Sequence, residues 1–239
     1  MRKDHRPYFI KRAYLHFQEF YVRRFLRPQL ESLGKGFSFI NPWHVEIFGS
    51  PVALGDYVTV IASFDKKVRF SIWAEKKGKG RIHIGDYALI LPGVRISSAS
   101  EIIIGSNSMI ASHTYITDCD WHGIYDRVSM GKTAPVTLGD NVWIGDSAII
   151  CKGVTIGNNS IVGAGSVVVH SVPPDVIAAG NPARVVKHLD PEEQIRTRAD
   201  WYSDPVTLFE ELDHWDRDML RGNTVPGWLR SMLAPGKKD

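Results

Sequence analysis

The segment 118–135 contains the side chains of this chain that are best suited to chemistry. It reads DCDWHGIYDRVSMGKTAP, and its histidine, His122, stands among acidic, aromatic and basic residues. An imidazole titrates near neutral pH and can take a proton from a hydroxyl group, although a lone histidine in a surface loop is more often simply solvated. The residues alone therefore leave two interpretations, a functional loop and a solvated one.

A six-residue repeat lies on both sides of this segment. From position 138 to 168 an aliphatic residue occupies every sixth position, and glycine directly follows four of them. A period of six fits no single long helix or strand. It fits a short strand followed by a corner, and three such sides close one coil of a parallel β-helix. Positions 84–102 keep the same phase, positions 104–116 resume it after a shift, and positions 54–60 indicate an earlier, less regular coil.

The repeat predicts an all-β solenoid of about five or six coils with its aliphatic residues inside. Glycine is expected at the turns because it tolerates a positive φ. The small residues expected to pack near the corners are Val142, Ala148, Val154, Ser160 and Ser166. A loop that leaves such a rigid support is the expected place for a functional site, which favours a functional segment 118–135.

Helical additions are predicted at both ends of the solenoid. Residues 1–50 are assigned to a cap region with an amphipathic helix from about Tyr8 to Phe25, and 51–187 to the β-helix. Residues 188–239 form a predicted helical tail, with helix starts at Asp190, Asp204 and Pro226. Alternation over 68–74 predicts one strand, and the KKGKG loop after it, 76–80, is a weak candidate for phosphate binding.

The two ends of the chain carry opposite charge. Residues 1–35 hold nine basic and three acidic residues, whereas 190–220 hold three basic and ten acidic ones. We expect the ends to attract each other, within one chain or between copies. The alternative is that the basic, aromatic N-terminal helix contacts an anionic membrane. The sequence contains no recognised nucleic-acid-binding module, so nucleic acid is not an expected partner.

Composition suggests a cytoplasmic protein with peripheral membrane contact as an option. No apolar run reaches the roughly 18 residues of a membrane span, and the N-terminal residues lack an apolar secretory core. The two cysteines, Cys119 and Cys151, do not have the spacing of metal ligands and are expected to be reduced thiols.

A series of short motifs resembles the hexapeptide-repeat acyltransferases. The motifs are NVWIG at 141–145, GVTIG at 153–157, GAGS at 163–166 and AAGNPAR at 178–184, and they follow one another as in that family. The similarity is greatest to galactoside, maltose and polysaccharide O-acetyltransferases and covers about 82–187. It implies a left-handed β-helix, although the usual crossover rule favours the opposite hand. It also implies transfer of an acetyl group from acetyl-CoA to a sugar hydroxyl.

The resemblance gives His122 the role of general base, because it occupies the place of the family's histidine on the loop before the NVWIG coil. The second ring nitrogen needs an acceptor that fixes the tautomer. Asp120 is the favoured acceptor, with Asp118 or a backbone carbonyl as alternatives. His113 is a lesser candidate base because it lies within the repeat. The residues expected to contact the acceptor are Trp121, Tyr125 and Arg127.

The resemblance further implies a CoA site on the outside of the coils, between subunits of a homotrimer. Trp143 should point outward because its neighbours occupy repeat positions. Small residues let a thin ligand approach the backbone, and cations can bind the CoA phosphates. The residues expected to hold CoA are Trp143, Gly145, Ala164, Gly165, His170, Arg184 and Lys187.

Two alternatives remain open, and a third does not fit the residues. One is N-acetylation of an amino sugar, and another is a non-catalytic β-helix that serves as an assembly module. The third, a zinc-dependent carbonic anhydrase, needs three converging histidines, and the settings of His83, His113 and His122 do not match, so no metal is expected. Residues 91–95 lack the Asn-rich acceptor segment of the galactoside enzymes, which favours surface polysaccharides or glycolipid precursors over galactosides.

Overall fold

The structure is a computed structural model that describes residues 4–73 and 80–236. The chain forms two compact units. Residues 21–198 form the first, which we call the prism unit, and residues 1–20 with 199–239 form the second, the helical unit. All but the last residue of the KKGKG loop lies outside the described residues, so its weakly indicated role in phosphate binding stays a prediction.

The prism unit consists of three β-sheets, which form faces A, B and C of a triangular prism. Within the described residues the chain crosses the faces in the order A, B, C six times. Face A contains β1 (Ser32–Leu33), β4 (Val52–Leu54), β7 (Ile82–Ile84), β10 (Ile102–Ile104), β13 (Val136–Leu138) and β16 (Thr155–Ile156). Face B contains β2 (Ser38–Ile40), β5 (Thr59–Ile61), β8 (Leu89–Ile90), β11 (Met109–Ile110), β14 (Trp143–Ile144), β17 (Ile161–Val162), β19 (Val176–Gly180) and β20 (Ala183–His188). Face C contains β3 (Val45–Phe48), β6 (Val68–Ile72), β9 (Arg95–Ser98), β12 (Tyr115–Thr117), β15 (Ile149–Ile150) and β18 (Val167–Val168).

Successive strands on each face are parallel, and the repeat residues of one coil lie directly over those of the next. Ile104 pairs with Leu138 on face A, Ile110 with Ile144 on face B and Ile116 with Ile150 on face C. Among the strands of the described residues only β20 runs antiparallel, and it pairs with β19 at the end of face B. The fold is the predicted left-handed parallel β-helix with helical additions.

The aliphatic repeat residues fill the interior of the prism. Ile84, Ile90 and Ile96, one from each face of the third coil, have no exposed surface. The five small residues predicted at the corners are buried as well, and the hydroxyl of Ser160 donates to the carbonyl of Pro173 at 2.7 Å. Removing this continuous apolar surface from water stabilises each coil against its neighbours and makes the prism a rigid support.

The glycines of the repeat have a different role from the one predicted. The positive φ belongs to the residue two positions after the glycine, as at Asn141 (56°) and Ser147 (58°). Gly145 is instead required for close stacking, because a Cβ atom there would lie 2.5 Å from the backbone nitrogen of Ala164 in the next coil. The glycines thus allow adjacent coils to approach each other at the corners.

The β-helix begins earlier than predicted. Strands β1, β2 and β3 form a complete first coil inside the region 1–50 that was expected to be a helical cap. Leu33 pairs with Leu54, Phe39 with Val60 and Val45 with Val68, so this coil has the register of the others. Within the described residues, strand β6 ends at Ile72, in agreement with the strand expected over 68–74.

Helices occupy both ends of the chain. They are α1 (Tyr8–Tyr21), which continues as a π-helical turn (Val22–Leu26), α2 (Arg198–Trp201), α3 (Pro205–Met219) and α4 (Val225–Leu233). Asp204 caps α3 as predicted, because its side chain accepts a hydrogen bond from the backbone of Thr207. The helix predicted at Asp190 is wrong. Asp190 accepts a hydrogen bond from the backbone nitrogen of Glu192 in a turn, and the next helix starts at Arg198.

The opposite charges of the two ends meet inside the helical unit. Lys11 forms an ion pair with Asp216, and Arg12 Nη1 lies 2.8 Å from Asp213 Oδ1. The hydroxyl of Tyr8 also donates to Asp213, and this bond together with the guanidinium of Arg12 lowers the pKa of Asp213 to about 2. The expected attraction between the ends therefore occurs within one chain.

The N-terminal helix also has an exposed aromatic side. Phe9 is 60% exposed, and Phe17 and Phe20 are 51% and 55% exposed. In the described parts of the chain, no helix combines the length and the apolar character that a membrane span requires. Peripheral membrane contact through this helix stays a prediction, as does the cytoplasmic location.

Candidate active site

The segment 118–135 leaves the prism at the edge between faces C and A, where it connects β12 to β13. At its root the carboxylate of Asp118 is fully buried. It accepts hydrogen bonds from Ser98 Oγ and Ala99 N, both at 2.7 Å, and from Ser100 N at 2.9 Å. A buried carboxylate with three donors is firmly held. Asp118 therefore anchors the loop to the preceding coil, and the alternative that it orients His122 is not realised.

The first and last residues of the loop form a short antiparallel stem. Cys119 pairs with Thr133, and Asp120 N donates to the carbonyl of Lys132 at 2.9 Å. Gly131 is essential to this stem, because a Cβ atom there would lie 2.5 Å from the carbonyl oxygen of His122. The stem thus fixes the backbone that carries His122.

Trp121 makes a second connection between the loop and the prism. Its indole nitrogen donates to the hydroxyl of Tyr115 on face C at 2.9 Å. The guanidinium of Arg95 lies over the ring of Tyr115, with 4.5 Å between the guanidinium carbon and the ring centroid. Trp121 was predicted to contact the acceptor, but its polar atom is used to hold the loop.

Asp120 bonds to a lysine rather than to His122. Both carboxylate oxygens of Asp120 lie 2.8 Å from Nζ of Lys152, which stands on the same edge one coil further along. Across residues 4–73 and 80–236, no side chain forms a hydrogen bond with the ring of His122. The prediction that Asp120 orients His122 is therefore not met in this structure, and the pairing with Lys152 was not foreseen.

His122 lines a pocket of about 360 Å³ that lies within the loop. Its lining residues are Asp120, His122, Gly123, Ile124, Tyr125, Met130, Gly131 and Lys132. The imidazole itself is exposed, so a substrate can reach it. The pocket is at the small end of the range of about 300 to 1,000 Å³ found for small-molecule sites. A proton acceptor, a lysine and apolar side chains thus surround one small cavity.

The two other predicted acceptor contacts differ in position. Tyr125 lines the pocket and is 99% exposed, so its ring is free to contact a ligand. Arg127 is exposed and does not belong to the pocket lining. Two lining residues, Met130 and Lys132, were not among the predicted site residues, although both stand in the segment that was singled out.

The residues predicted to hold CoA lie mostly on another side of the prism. Trp143 is on face B and 47% exposed, so it points outward as predicted. Gly145, Ala164 and Gly165 form turns at the edge between faces B and C, where Gly165 N donates to the carbonyl of Asp146 at 2.7 Å. Arg184 and Lys187 are exposed on β20, at the end of face B. None of these residues lines the loop pocket.

His170 and His113 stand apart from this group. His170 follows β18 and therefore lies at the C–A edge, the same edge as the loop. His113 lies at the B–C edge with a positive φ of 59°, and its Nδ1 atom is 3.7 Å from a carboxylate oxygen of Asp146. The three histidines His83, His113 and His122 thus occupy face A, the B–C edge and the C–A edge. Within the described ranges no three His, Cys, Asp or Glu side chains are grouped as metal ligands would be.

The two cysteines are free thiols at the C–A edge. Burial, reinforced by the nearby charges of Asp118 and Asp120, raises the pKa of Cys119 to about 11. Burial also raises the pKa of Cys151. Both thiols are therefore protonated at neutral pH and poorly suited to act as nucleophiles.

Comparison with known sequences gives the following matches. The family model "bacterial transferase hexapeptide (six repeats)" matches residues 135–170. The galactoside O-acetyltransferase of Escherichia coli K12 is 35% identical over 116 residues, which are 47% of this chain and 57% of that protein. The putative lipopolysaccharide biosynthesis O-acetyl transferase WbbJ of the same organism is 33% identical over 134 residues, 51% of this chain and 68% of that protein. The chain spans less than two thirds of the length of the galactoside enzyme.

Comparison with solved structures shows a similar fold. The N-acyltransferase AntD from Bacillus cereus, in a mutant form crystallised with dTDP and coenzyme A, has a TM-score of 0.53 and 22% identity. The match covers 80% of this chain and 95% of AntD. It extends beyond the hexapeptide repeat to most of the chain.

Proposed function

Because this chain belongs to the family of hexapeptide-repeat acyltransferases, we propose that it transfers an acetyl group from acetyl-CoA to the hydroxyl of a sugar. The observation that carries the proposal is the position of His122, on an anchored loop and open to a pocket of about 360 Å³. The two relatives are named as a galactoside O-acetyltransferase and a putative lipopolysaccharide biosynthesis O-acetyl transferase, which supports a saccharide, a surface polysaccharide or a glycolipid precursor as acceptor.

The proposed reaction is a direct transfer with His122 as general base. The imidazole takes the proton of the acceptor hydroxyl while that oxygen bonds to the thioester carbonyl carbon. The carbon–sulfur bond then breaks, and the imidazolium returns the proton to the sulfur of CoA. The step needs neither an acyl-enzyme nor a metal ion, and two raised thiol pKa values argue against a cysteine nucleophile.

We place the CoA along face B and the B–C edge of a neighbouring copy in a homotrimer. In a triangular prism face B lies opposite the C–A edge, so Trp143 and the His122 loop of one chain are on opposite sides. Head-to-tail packing of three copies about a common axis would bring the loop of one copy against face B of the next. The arrangement makes each site dependent on two chains.

Within that groove, each group of residues has a proposed role. The ring of Trp143 would pack against the pantetheine arm, and the turn at Gly165, where an added Cβ atom would meet open space, would leave room for it. The exposed cations Arg184 and Lys187 would bind the CoA phosphates. His170 stands on the loop's own edge, so its contact with CoA would have to come from the same chain as His122.

A screen of sugar acceptors with acetyl-CoA, followed by the release of free thiol, tests the proposal. We expect thiol release that depends on a sugar and that yields an O-acetylated product by mass spectrometry. Equilibrium binding of CoA provides a second readout, which an assembly module would not show. Acetylation of amino groups alone would favour an N-acetyltransferase, and a chain that neither binds CoA nor releases thiol would contradict the proposal.

A further inference from the structure

The loop pocket carries an uncompensated positive charge. The side chains that line it include one carboxylate, Asp120, and one ammonium, Lys132, and Asp120 forms its ion pair with Lys152 at 2.8 Å. Lys132 lies on the strand of the stem opposite Asp120, yet its ammonium forms no ion pair with a carboxylate in the part of the chain that the structure describes. The Asp120–Lys152 pair is neutral as a whole, so Lys132 sets the charge of the pocket.

Apolar side chains form another part of the same pocket. Ile124 is 72% exposed and Tyr125 is 99% exposed, and Met130 completes this part of the lining. An aromatic ring next to aliphatic groups suits the apolar face of a pyranose, whose C–H groups can pack on the ring. The pocket therefore offers apolar surface, a proton acceptor at His122 and a cation at Lys132.

These features favour a ligand that has an apolar face, a hydroxyl and a negative charge. An exposed lysine bonds to a carboxylate or a phosphate as a compact point charge with three donors. A neutral sugar can accept only a hydrogen bond to a hydroxyl oxygen from this ammonium, which is weaker than a bond to an anion. An acidic sugar would form a charge-assisted hydrogen bond and would be drawn toward the pocket from solution.

We propose that the acceptor is an anionic sugar, whose carboxylate or phosphate binds Lys132 while one of its hydroxyls faces His122. This inference rests on the proposed acetyl transfer and names the class of acceptor for that site. A uronic acid residue of a polysaccharide and a phosphorylated sugar share the required chemistry, and the experiment below separates them.

The test compares matched acceptors with the wild type and with Lys132→Met. The acceptors are methyl glucoside, methyl glucuronide and glucose 1-phosphate, which differ mainly in charge. We expect the wild type to prefer at least one anionic acceptor by on the order of tenfold in kcat/KM, a preference that falls at high salt. Lys132→Met should remove the preference by raising KM for the anionic acceptor. The matched control is Lys35→Met, which removes a lysine of the first coil whose side chain is 75% exposed. This control should change neither the preference for the anionic acceptor nor the KM for it.

Binding of the same sugars, followed by saturation-transfer NMR, separates the two proposals. Equal rates on neutral and anionic acceptors, or a preference that survives Lys132→Met, would overturn the anionic acceptor and leave acetyl transfer standing. Binding of an anionic sugar that depends on Lys132 without any acetylation would support an anionic-sugar site at Lys132 but contradict the proposed acetyl transfer and the role of that sugar as acceptor. Absence of both binding and selectivity would overturn the inference.

Discussion

Two edges of the same prism show how this fold separates support from chemistry. At the B–C edge of the third to sixth coils the chain turns from face to face without interruption, as at Gly145 and Gly165. At the C–A edge the turn between β12 and β13 is replaced by the segment 118–135. The plain edge presents small residues and backbone, whereas the interrupted edge presents His122 and a pocket.

The difference lies in how each edge is stabilised. The B–C edge is held by the repeat itself, because backbone hydrogen bonds between coils recur at every turn. The C–A loop has no such repeat and is held by specific side chains: buried Asp118 below it, Lys152 above it and Tyr115 beside it. The repeated coils make the prism rigid as a whole, and three specific side-chain contacts fix the position of the loop on it.

The largest expected effect comes from His122→Ala. If the C–A edge carries the chemistry, loss of the general base should lower kcat by a hundredfold or more while the thermal midpoint stays unchanged. His83→Ala, on the exposed outer side of face A, serves as the control for a histidine change outside the site. A loss after His113→Ala as large as after His122→Ala would place the base at the B–C edge instead and break the comparison.

Removal of the loop anchor should have the largest effect on stability. Asp118→Ala leaves two buried donors and one part-buried donor without their acceptor and should lower the free energy of unfolding by about 3 kcal/mol, measured by urea denaturation. The matched change is Asp140→Ala at the A–B edge, where an exposed carboxylate accepts one bond from Ser106 N at 2.7 Å. That change should cost less than about 1 kcal/mol. Similar values for the two variants would show that the C–A edge is not specially anchored.

Lys152→Met should affect catalysis more than stability. Without the Lys152 ammonium, Asp120 and the loop that carries it are less restrained. We therefore expect kcat to fall by about tenfold, with little change in the unfolding midpoint. Lys67→Met breaks a comparable surface ion pair, with Glu46 on face C, and should leave turnover unaffected. An unchanged kcat after Lys152→Met would mean that the stem and Trp121 hold the loop without this contact.

The smallest expected effect is the pH dependence contributed by Cys119. Its pKa of about 11 lies above the ordinary value of 9.0, so the unfolded chain releases the thiol proton first. This thiol therefore does not affect stability below pH 9 and lowers it as the pH rises from 9 toward 11. Cys119→Ala should show a shallower fall of the free energy of unfolding over that interval. Identical slopes would indicate that the loop root is open to solvent.

The repeat made most of the fold predictable from sequence. A spacing of six, with glycine next to the aliphatic residue, identified the coils from position 54 onward. The first coil has the same spacing, at Leu33, Phe39 and Val45, and glycine follows Leu33, yet it was assigned to the cap because too few repeats precede it to reveal a period. The failed helix start at Asp190 has a different cause, since the same residues also form a turn without a helix.

The candidate site was predictable as a segment but not as a set of contacts. The break in the repeat located the loop and His122. The partner of Asp120 was missed because Lys152 is 32 residues away and meets it only when the coils stack. The repeat could have pointed to this contact. Lys152 stands two positions after Ile150, and Asp118 stands two positions after Ile116, so both lie at the C–A edge in neighbouring coils. Asp120 is two residues further along the loop from Asp118.

The measurement that tests the shared site most directly uses mixed trimers of two inactive variants. His122→Ala removes the base from the loop, and Ala164→Trp fills the exposed turn at the B–C edge where CoA is proposed to lie. Trimers that contain both chains, isolated through two different affinity tags, each have one interface with an intact loop and an intact groove. We predict that these mixed trimers recover about one third of the wild-type rate. Mixed trimers as inactive as either variant alone, or a protein that stays monomeric while fully active, would contradict a site built from two chains.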